Sequence, residues 1–352
     1  MFDPGMPPNE KTVSRLSEFG LIERLVSVFD RNFRPEGEPL DGLALVLGNG
    51  DDAAAWEGPA GATVFTCDAM VDGSHFDLSY STPADVGWRS MVSCQSDIAA
   101  MGFHPTYSTV SLGLTGTESP DLLDDLYTGM AQACSRFGGR VVGGDVVRSG
   151  TMFISVAMVG AASHGVGETA ARPMTRSGAK PGDVIALTGP LGGSAGGLKL
   201  LMSGPVPGGP SGQGATLVQA HRRPEPAVTT GVWLAANGVA CASDISDGLT
   251  ADLGRVCRAS GAAAVIRLAE VPVEPALRAV FPNDWVDLAL GGGEGYQLLF
   301  TASAEVVEAA RAAYPAITPI GKVVAGEPQV TVLDENDEQV KPGITGFEHF
   351  ST

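Results

Sequence analysis

Aspartates set against glycine or hydroxyl residues at the edge of apolar runs recur along this chain, and that recurrence constrains it more than any other feature. The first stretch is Gly48-Asn49-Gly50-Asp51-Asp52-Ala53-Ala54. Its glycines let the chain turn tightly, and the adjacent carboxylates then stand close to something small and charged. Asp68, Asp97, Asp145 and the pair Asp244 and Asp247 repeat the pattern, each within two residues of Gly, Ser or Thr and close to an apolar run. One Asp-Asp pair alone describes a solvated turn. A series of Asp-tipped turns points to a hard-cation site built of oxygen ligands and completed by a phosphorylated ligand.

The chain has 352 residues, 44% of them hydrophobic, enough for two domains with cores of their own. A net charge of −18, with no cluster of Lys or Arg, argues against a nucleic-acid partner. Cysteines stand at 67, 94, 134, 241 and 257 without a CxxC spacing, which speaks against a zinc site and a disulfide framework and fits a reducing compartment. The N-terminus shows no basic-then-apolar signal pattern, and no apolar run approaches bilayer length. The expectation is a cytoplasmic protein without a membrane partner.

Residues 1–11 read as a loose arm before a helix over 18–29. Val64-Phe65-Thr66-Cys67 reads as a buried strand ending at Asp68, followed by a Gly-containing turn that carries His75. His75 is either a hydrogen-bonded loop residue or a substrate contact. A helix is expected over 83–101, with Asp97 among almost wholly apolar neighbours, where a carboxylate needs a partner such as a cation. A strand over 107–114 and a helix over 121–137 follow. Gly143-Gly144-Asp145 then reads as a turn after a short strand, its glycines opening the backbone to a phosphate and Asp145 offering an oxygen. A strand over 151–162 closes the first domain, and the junction falls around 163–172, giving domains 1–165 and 166–352.

Arg172, Arg176 and Lys180 then form a local basic group, either linker decoration or a nucleotide-phosphate clamp. The glycine-rich run 189–197 follows a strand over 183–188. It is not a P-loop, since no Gly-Lys-Ser/Thr closes it, and close helix packing is the other reading. Residues 203–214 are rich in Gly, Pro and Ser and read as mobile. A helix over 226–237 leads to a strand and then Asp244-Ile245-Ser246-Asp247-Gly248-Leu249, where Asp247 would also serve as cap of a helix over 249–260. Gly291-Gly292-Gly293-Glu294-Gly295-Tyr296 precedes a last strand over 297–301.

Taken in order, these motifs resemble those of the thiamine-monophosphate kinases, in the superfamily that includes aminoimidazole ribonucleotide synthetase. The matching stretches are Gly50-Asp51-Asp52-Ala53-Ala54, Asp68 with Gly73-Ser74-His75-Phe76, Ser96-Asp97-Ile98-Ala99-Ala100-Met101-Gly102, Gly143-Gly144-Asp145, Arg176-Ser177-Gly178-Ala179-Lys180-Pro181-Gly182-Asp183, Asp244 to Leu249, and Glu294 before Tyr296. The resemblance implies an α/β N-terminal domain that pairs with its copy in a homodimer, an α+β C-terminal domain, and ATP-dependent phosphorylation of thiamine monophosphate. It implies magnesium at Asp52, Thr66, Cys67, Asp68, Asp97, Asp145, Asp244 and Asp247, with Asp52, Asp97 and Asp145 carrying catalysis. It also implies ATP at Gly144, Asp145, Arg176 and Ser246, and the acceptor at His75, Glu294 and Phe347. Phosphoryl transfer needs little covalent help, so carboxylate-held magnesium that neutralises and aligns the phosphates suits this set.

Three positions depart from the family's pattern. Cys67 replaces a usual Thr, which matters if the ligand there is a hydroxyl and not if it is a main-chain carbonyl. Asn49 replaces an apolar residue. Gly295 replaces the Asp of Glu-Asp-Tyr, which removes a carboxylate beside Glu294. An enzyme of the same superfamily with another acceptor, or a non-catalytic nucleotide-binding relative, are the alternative readings.

Overall fold

A computed structural model describes residues 12–13, 18–35, 45–47, 55–56, 58, 62–162, 172–204, 212–343 and 346. The arm over 1–11, Asp51 and Asp52 with their glycines, most of the junction over 163–172, most of the Gly/Pro/Ser-rich run and Phe347 lie outside the described residues. The chain divides into two compact units. The first comprises Met1–Pro59, Phe65–Cys94 and Pro105–Val159; the second comprises Ala60–Val64, Gln95–His104 and Gly160–Thr352.

The elements that build the first unit, apart from the start of β3 and β4 and the ends of α2 and β6, which belong to the second, are α1 (Glu18–Asn32), β1 (Leu45–Leu47), β2 (Ala55–Trp56), β3 (Thr63–Val71), α2 (Pro83–Ala100), β4 (His104–Leu114), α3 (Pro120–Phe137), β5 (Arg140–Arg148) and β6 (Phe153–Ala161). A four-stranded sheet runs in the order β3-β6-β4-β5, with β4 and β5 parallel and joined through α3, the crossover that parallel neighbours require. Burial along β6 alternates: Ile154, Val156 and Met158 are buried, while Phe153, Ser155 and Ala157 are half-buried on the opposite face. The helices α2 and α3 cross closely through glycine, since a Cβ at Gly87 would stand 1.9 Å from the Leu126 carbonyl oxygen and one at Gly129 1.9 Å from that of Ala84. The α3 N-terminus is closed by Ser119, whose side chain accepts from Leu122 N–H, with Pro120 in the first turn.

The second unit continues with β7 (Val184–Leu187), α4 (Gly193–Met202), α5 (Gln213–Arg222), α6 (Val228–Ala236), β8 (Cys241–Asp244), α7 (Leu249–Ser260), β9 (Ala263–Arg267), α8 (Pro275–Val280), α9 (Trp285–Leu290), β10 (Leu298–Ala302), α10 (Ala304–Ala313), β11 (Thr318–Val324), β12 (Val330–Leu333) and β13 (Gln339–Val340). Its sheet has the order β13-β12-β9-β11-β7-β10-β8. Successive residues of the central strands enter opposite cores: Ile185, Leu187 and Leu299 pack with Leu249, Leu253, Val256 and Cys257 of α7, whereas Ala186 and Phe300 pack with Leu234 of α6 and Val307 and Ala310 of α10. Such two-sided burial explains why these strands read as continuous apolar runs without alternation.

Two sequence expectations are corrected, and one of the two readings of the run 189–197 is borne out. The strand expected to stop at Asp68 continues to Val71. Gly143-Gly144-Asp145 is the interior of β5 and not a turn; a Cβ at Gly144 would lie 2.1 Å from the Val110 carbonyl oxygen, so the glycine permits a close strand approach. The run 189–197 is partly helical: α4 starts at Gly193, and a Cβ at Gly197 would lie 2.1 Å from the Leu217 carbonyl oxygen of α5. Close helix packing is its use.

Candidate active site

In the second unit, the last turns of α2 and the end of β8 bring two carboxylates together. Asp97 is half-buried among buried neighbours, and Asp244 is 3% exposed. The Ser96 hydroxyl donates to Asp244 Oδ2 at 2.8 Å. Burial, the charge of Asp97 and that of Asp252 push the Asp244 carboxyl up to about 8, against hydrogen bonding from Ser96 and the positive charge of Arg176. Two carboxylates that hinder each other's ionisation in this way gain from a cation between them. An all-oxygen donor set suits a hard ion such as magnesium. Among the described residues, no three His, Cys, Asp or Glu side chains form a group that could hold a metal ion. Arg176 is fixed beside this pair, its Nε donating to Ser243 Oγ at 3.2 Å and its carbonyl accepting from Ser260 Oγ at 2.8 Å.

Beyond Asp244 the β8–β10 ladder does not end; it continues into two interleaved loops. Ile245 N–H donates to the Gln297 carbonyl at 2.8 Å, Glu294 N–H to that of Ser246 at 2.8 Å, and Tyr296 N–H to that of Ile245 at 3.1 Å. The glycines explain how the backbones come this close. A Cβ at Gly293 would stand 2.1 Å from the Ser246 carbonyl oxygen, and Gly248, at φ +123°, lies against Gly291. Ser246, Asp247 and Glu294 are thereby carried on adjoining backbone. Glu294 and Tyr296 take φ of 58° and 52°, a left-handed conformation that costs a non-glycine residue about 1–3 kcal/mol and needs surrounding structure to hold it. Gly295 between them has no positive φ, and a Cβ there would meet nothing within 4 Å.

Four residues that sequence reasoning did not single out complete this region. The Glu294 carboxylate lies 3.7 Å from Nδ1 of His221, a buried side chain on α5 that is also 3.1 Å from Ser194 Oγ at the start of α4. Asp247 is ion-paired with Arg255, which also pairs with Asp252. The expectation that Asp247 caps α7 is corrected: Asp252, one turn into that helix, turns back and accepts from the N–H groups of Asp247 and Gly248, each at 3.1 Å. Asp252 shares the helix face of Leu249, Leu253 and Val256. A carboxylate on an apolar stripe was the available signal.

The first unit carries the remaining described residues. Along β3, Thr66 and Asp68 are half-buried on one face, while Cys67 points to the other, with Sγ 3.5 Å from Ser155 Oγ of β6. Only the main chain of Cys67 can therefore act on the side of Thr66 and Asp68. Asp145 is exposed on β5, opposite Ser111 in the register. His75 closes the turn after β3, its Nδ1 accepting from Val71 N–H at 3.1 Å, which leaves the ring proton on Nε2 when the ring is neutral. Its carbonyl accepts from Arg89 Nη2 at 3.1 Å.

Residues 50–162 match the AIR synthase related protein, N-terminal domain, and residues 180–333 match the C-terminal domain. The thiamine-monophosphate kinase of Bacillus subtilis is 32% identical over 310 residues, 86% of this chain and 93% of its own. That of Escherichia coli K12 is 34% identical over 344 residues, 95% of this chain and 98% of its own. Among solved structures, thiamine-monophosphate kinase from Stenotrophomonas maltophilia aligns at a TM-score of 0.76 and 31% identity, covering 92% of this chain and 98% of that one. AaThiL complexed with AMPPCP and TMP aligns at 0.73 and 29%, covering 99% and 100%. The chain belongs to the AIR synthase related family and, within it, to the thiamine-monophosphate kinases.

Proposed function

We propose that this chain transfers the γ-phosphoryl group of ATP directly to the phosphate of thiamine monophosphate, giving ADP and thiamine diphosphate. The observation that carries the reading is the interleaving of the Ile245–Ser246 and Glu294–Gln297 backbones beside Asp244. It carries Asp244, Ser246, Asp247 and Glu294 on one support, which supports reading the serine as facing the nucleotide and the glutamate as facing the acceptor. A terminal oxygen of the acceptor phosphate attacks the γ-phosphorus, and the bond to the β,γ-bridging oxygen breaks, so ADP leaves. The task of the protein is alignment and charge neutralisation.

In this reading magnesium would be held by Asp97, Asp244 and Asp247, by Thr66, Asp68 and the main chain of Cys67 on one face of the first unit's sheet, and by Asp145 on the face it shares with Val147. When bound, it neutralises charge on the transferred group. Arg176, Ser246, Gly144 and Asp145 face ATP; His75 and Glu294 face the acceptor. Asp52 and Phe347 belong to the same proposal. The division near residue 165, with nucleotide and metal contacts on both sides of it, is part of this reading too.

The open face of the first unit's sheet supports a homodimer. Phe65 is 69% exposed and Val147 41% exposed, on the face shared by Cys67, Ser155 and Phe153. Exposed apolar sheet faces mark interaction sites, and a second copy supplies a matching one. Free thiols at all five cysteines support work in the cytoplasm. No described helix is long and apolar enough to cross a membrane. The test is acceptor choice: thiamine diphosphate should form from ATP and thiamine monophosphate, and unphosphorylated thiamine should accept nothing. Equal use of both acceptors would exclude direct transfer to a phosphate as the enzyme's chemistry.

A further inference from the structure

Two residues of α7 close a ring of hydrogen bonds around Asp247. Asp252 is fully buried, and its Oδ2 accepts from the main-chain N–H of Asp247 and of Gly248, each at 3.1 Å. Its Oδ1 pairs with Nη1 of Arg255, and Nη2 of the same guanidinium pairs with Oδ2 of Asp247 at 2.5 Å. The ring thus runs from the Asp247 main chain through Asp252 and Arg255 back to the Asp247 side chain.

We infer that Asp252 and Arg255 are positioning residues for Asp247, one fixing its main chain and the other its carboxylate. This rests on the reading of Asp247 as a magnesium ligand. A helix cap alone would explain Asp252 and its two N–H donors; it leaves the reach of Arg255 to a second carboxylate unexplained. A planar guanidinium with separate nitrogens on two carboxylates fixes both orientations at once, which an ammonium cannot do. The arrangement also sets charge. Arg255 offsets one of the two negative charges, and because it engages Oδ2, Oδ1 of Asp247 remains for a cation. The buried Asp252 makes the arrangement stiff, since a carboxylate without water must keep its partners.

The test is calorimetric titration of magnesium with AMPPCP into the full-length wild type, Arg255→Met, Arg255→Lys and Asp247→Asn, alongside Tm and steady-state kinetics. Arg255→Met should weaken nucleotide binding about tenfold, or about 1.4 kcal/mol, and raise KM for magnesium–ATP in proportion, with kcat at saturation within about threefold. Arg255→Lys should recover part of the loss, because it restores charge without the fork. If both Arg255 variants bind like the wild type while Asp247→Asn is weakened, the positioning role is wrong and Asp247 keeps its place. If Asp247→Asn also binds like the wild type, the metal reading of Asp247 fails and the inference falls with it. Should Arg255→Met not fold, Arg255→Lys decides by the same criterion.

Discussion

Asp244 ends β8 with its carboxyl buried beside Asp97, so the folded chain holds a proton there up to about pH 8, while an unperturbed carboxyl releases it near 3.8. Between those values the folded state binds more protons than the unfolded state, and stability falls as pH rises. The contribution is fully present below about pH 4 and is lost as pH climbs through about 8. Urea unfolding of the magnesium-free protein should therefore show declining stability across this window, and Asp244→Asn, which has no proton to release, should flatten the decline. An unchanged slope in the variant would remove Asp244 as its cause. Gly295 gives a second prediction at this scale. Its φ is not positive and a Cβ meets nothing within 4 Å, so Gly295→Asp fits without strain. Activity on thiamine monophosphate should hold or rise in a kcat and KM comparison; a loss of tenfold or more would mean that the pocket is shaped around the missing side chain.

The helices α2 and α3 show how an element's packing can reverse an intrinsic preference. Gly→Ala inside a helix ordinarily gains about 1 kcal/mol. At Gly129 the new Cβ would stand 1.9 Å from a backbone carbonyl oxygen of α2, and overpacking of this kind costs about 1–3 kcal/mol or more. The clash wins, so Gly129→Ala should lower Tm by several degrees; a raised Tm would show that the helices part without cost. What the sequence revealed follows the same division between local and tertiary causes. The helices α2, α3 and α7 were legible because their signals are local: Pro83 and the closing Gly102 for α2, amphipathic spacing for α3, and the Asp247-Gly248 start for α7. β11 was not, because its Pro and Gly and a register shift between Pro319 and Gly321 erase the alternation. Gly143-Gly144 reads as a turn by the local rule, and only the carbonyl of a neighbouring strand turns it into a strand interior. In the candidate site, the aspartates were legible as oxygen donors beside flexible backbone. Asp252, Arg255, Ser194 and His221 were not, because their meaning comes from partners on other segments or turns.

At the scale of the whole molecule, the exposed sheet face predicts assembly. Phe65→Asp places a charge on that face, and sedimentation should find the wild type as a dimer and the variant as a monomer; a dimer in both would locate the interface elsewhere. Direct phosphoryl transfer is the claim on which the functional reading stands, and its products test it. The chain is incubated with ATP, magnesium and thiamine monophosphate, and ADP, thiamine diphosphate and free phosphate are measured separately. ADP and thiamine diphosphate should appear one for one with almost no free phosphate, since the γ-phosphoryl group never passes to water. Free phosphate released in step with ADP, without thiamine diphosphate, would contradict direct transfer and assign the chain to activation of a different acceptor.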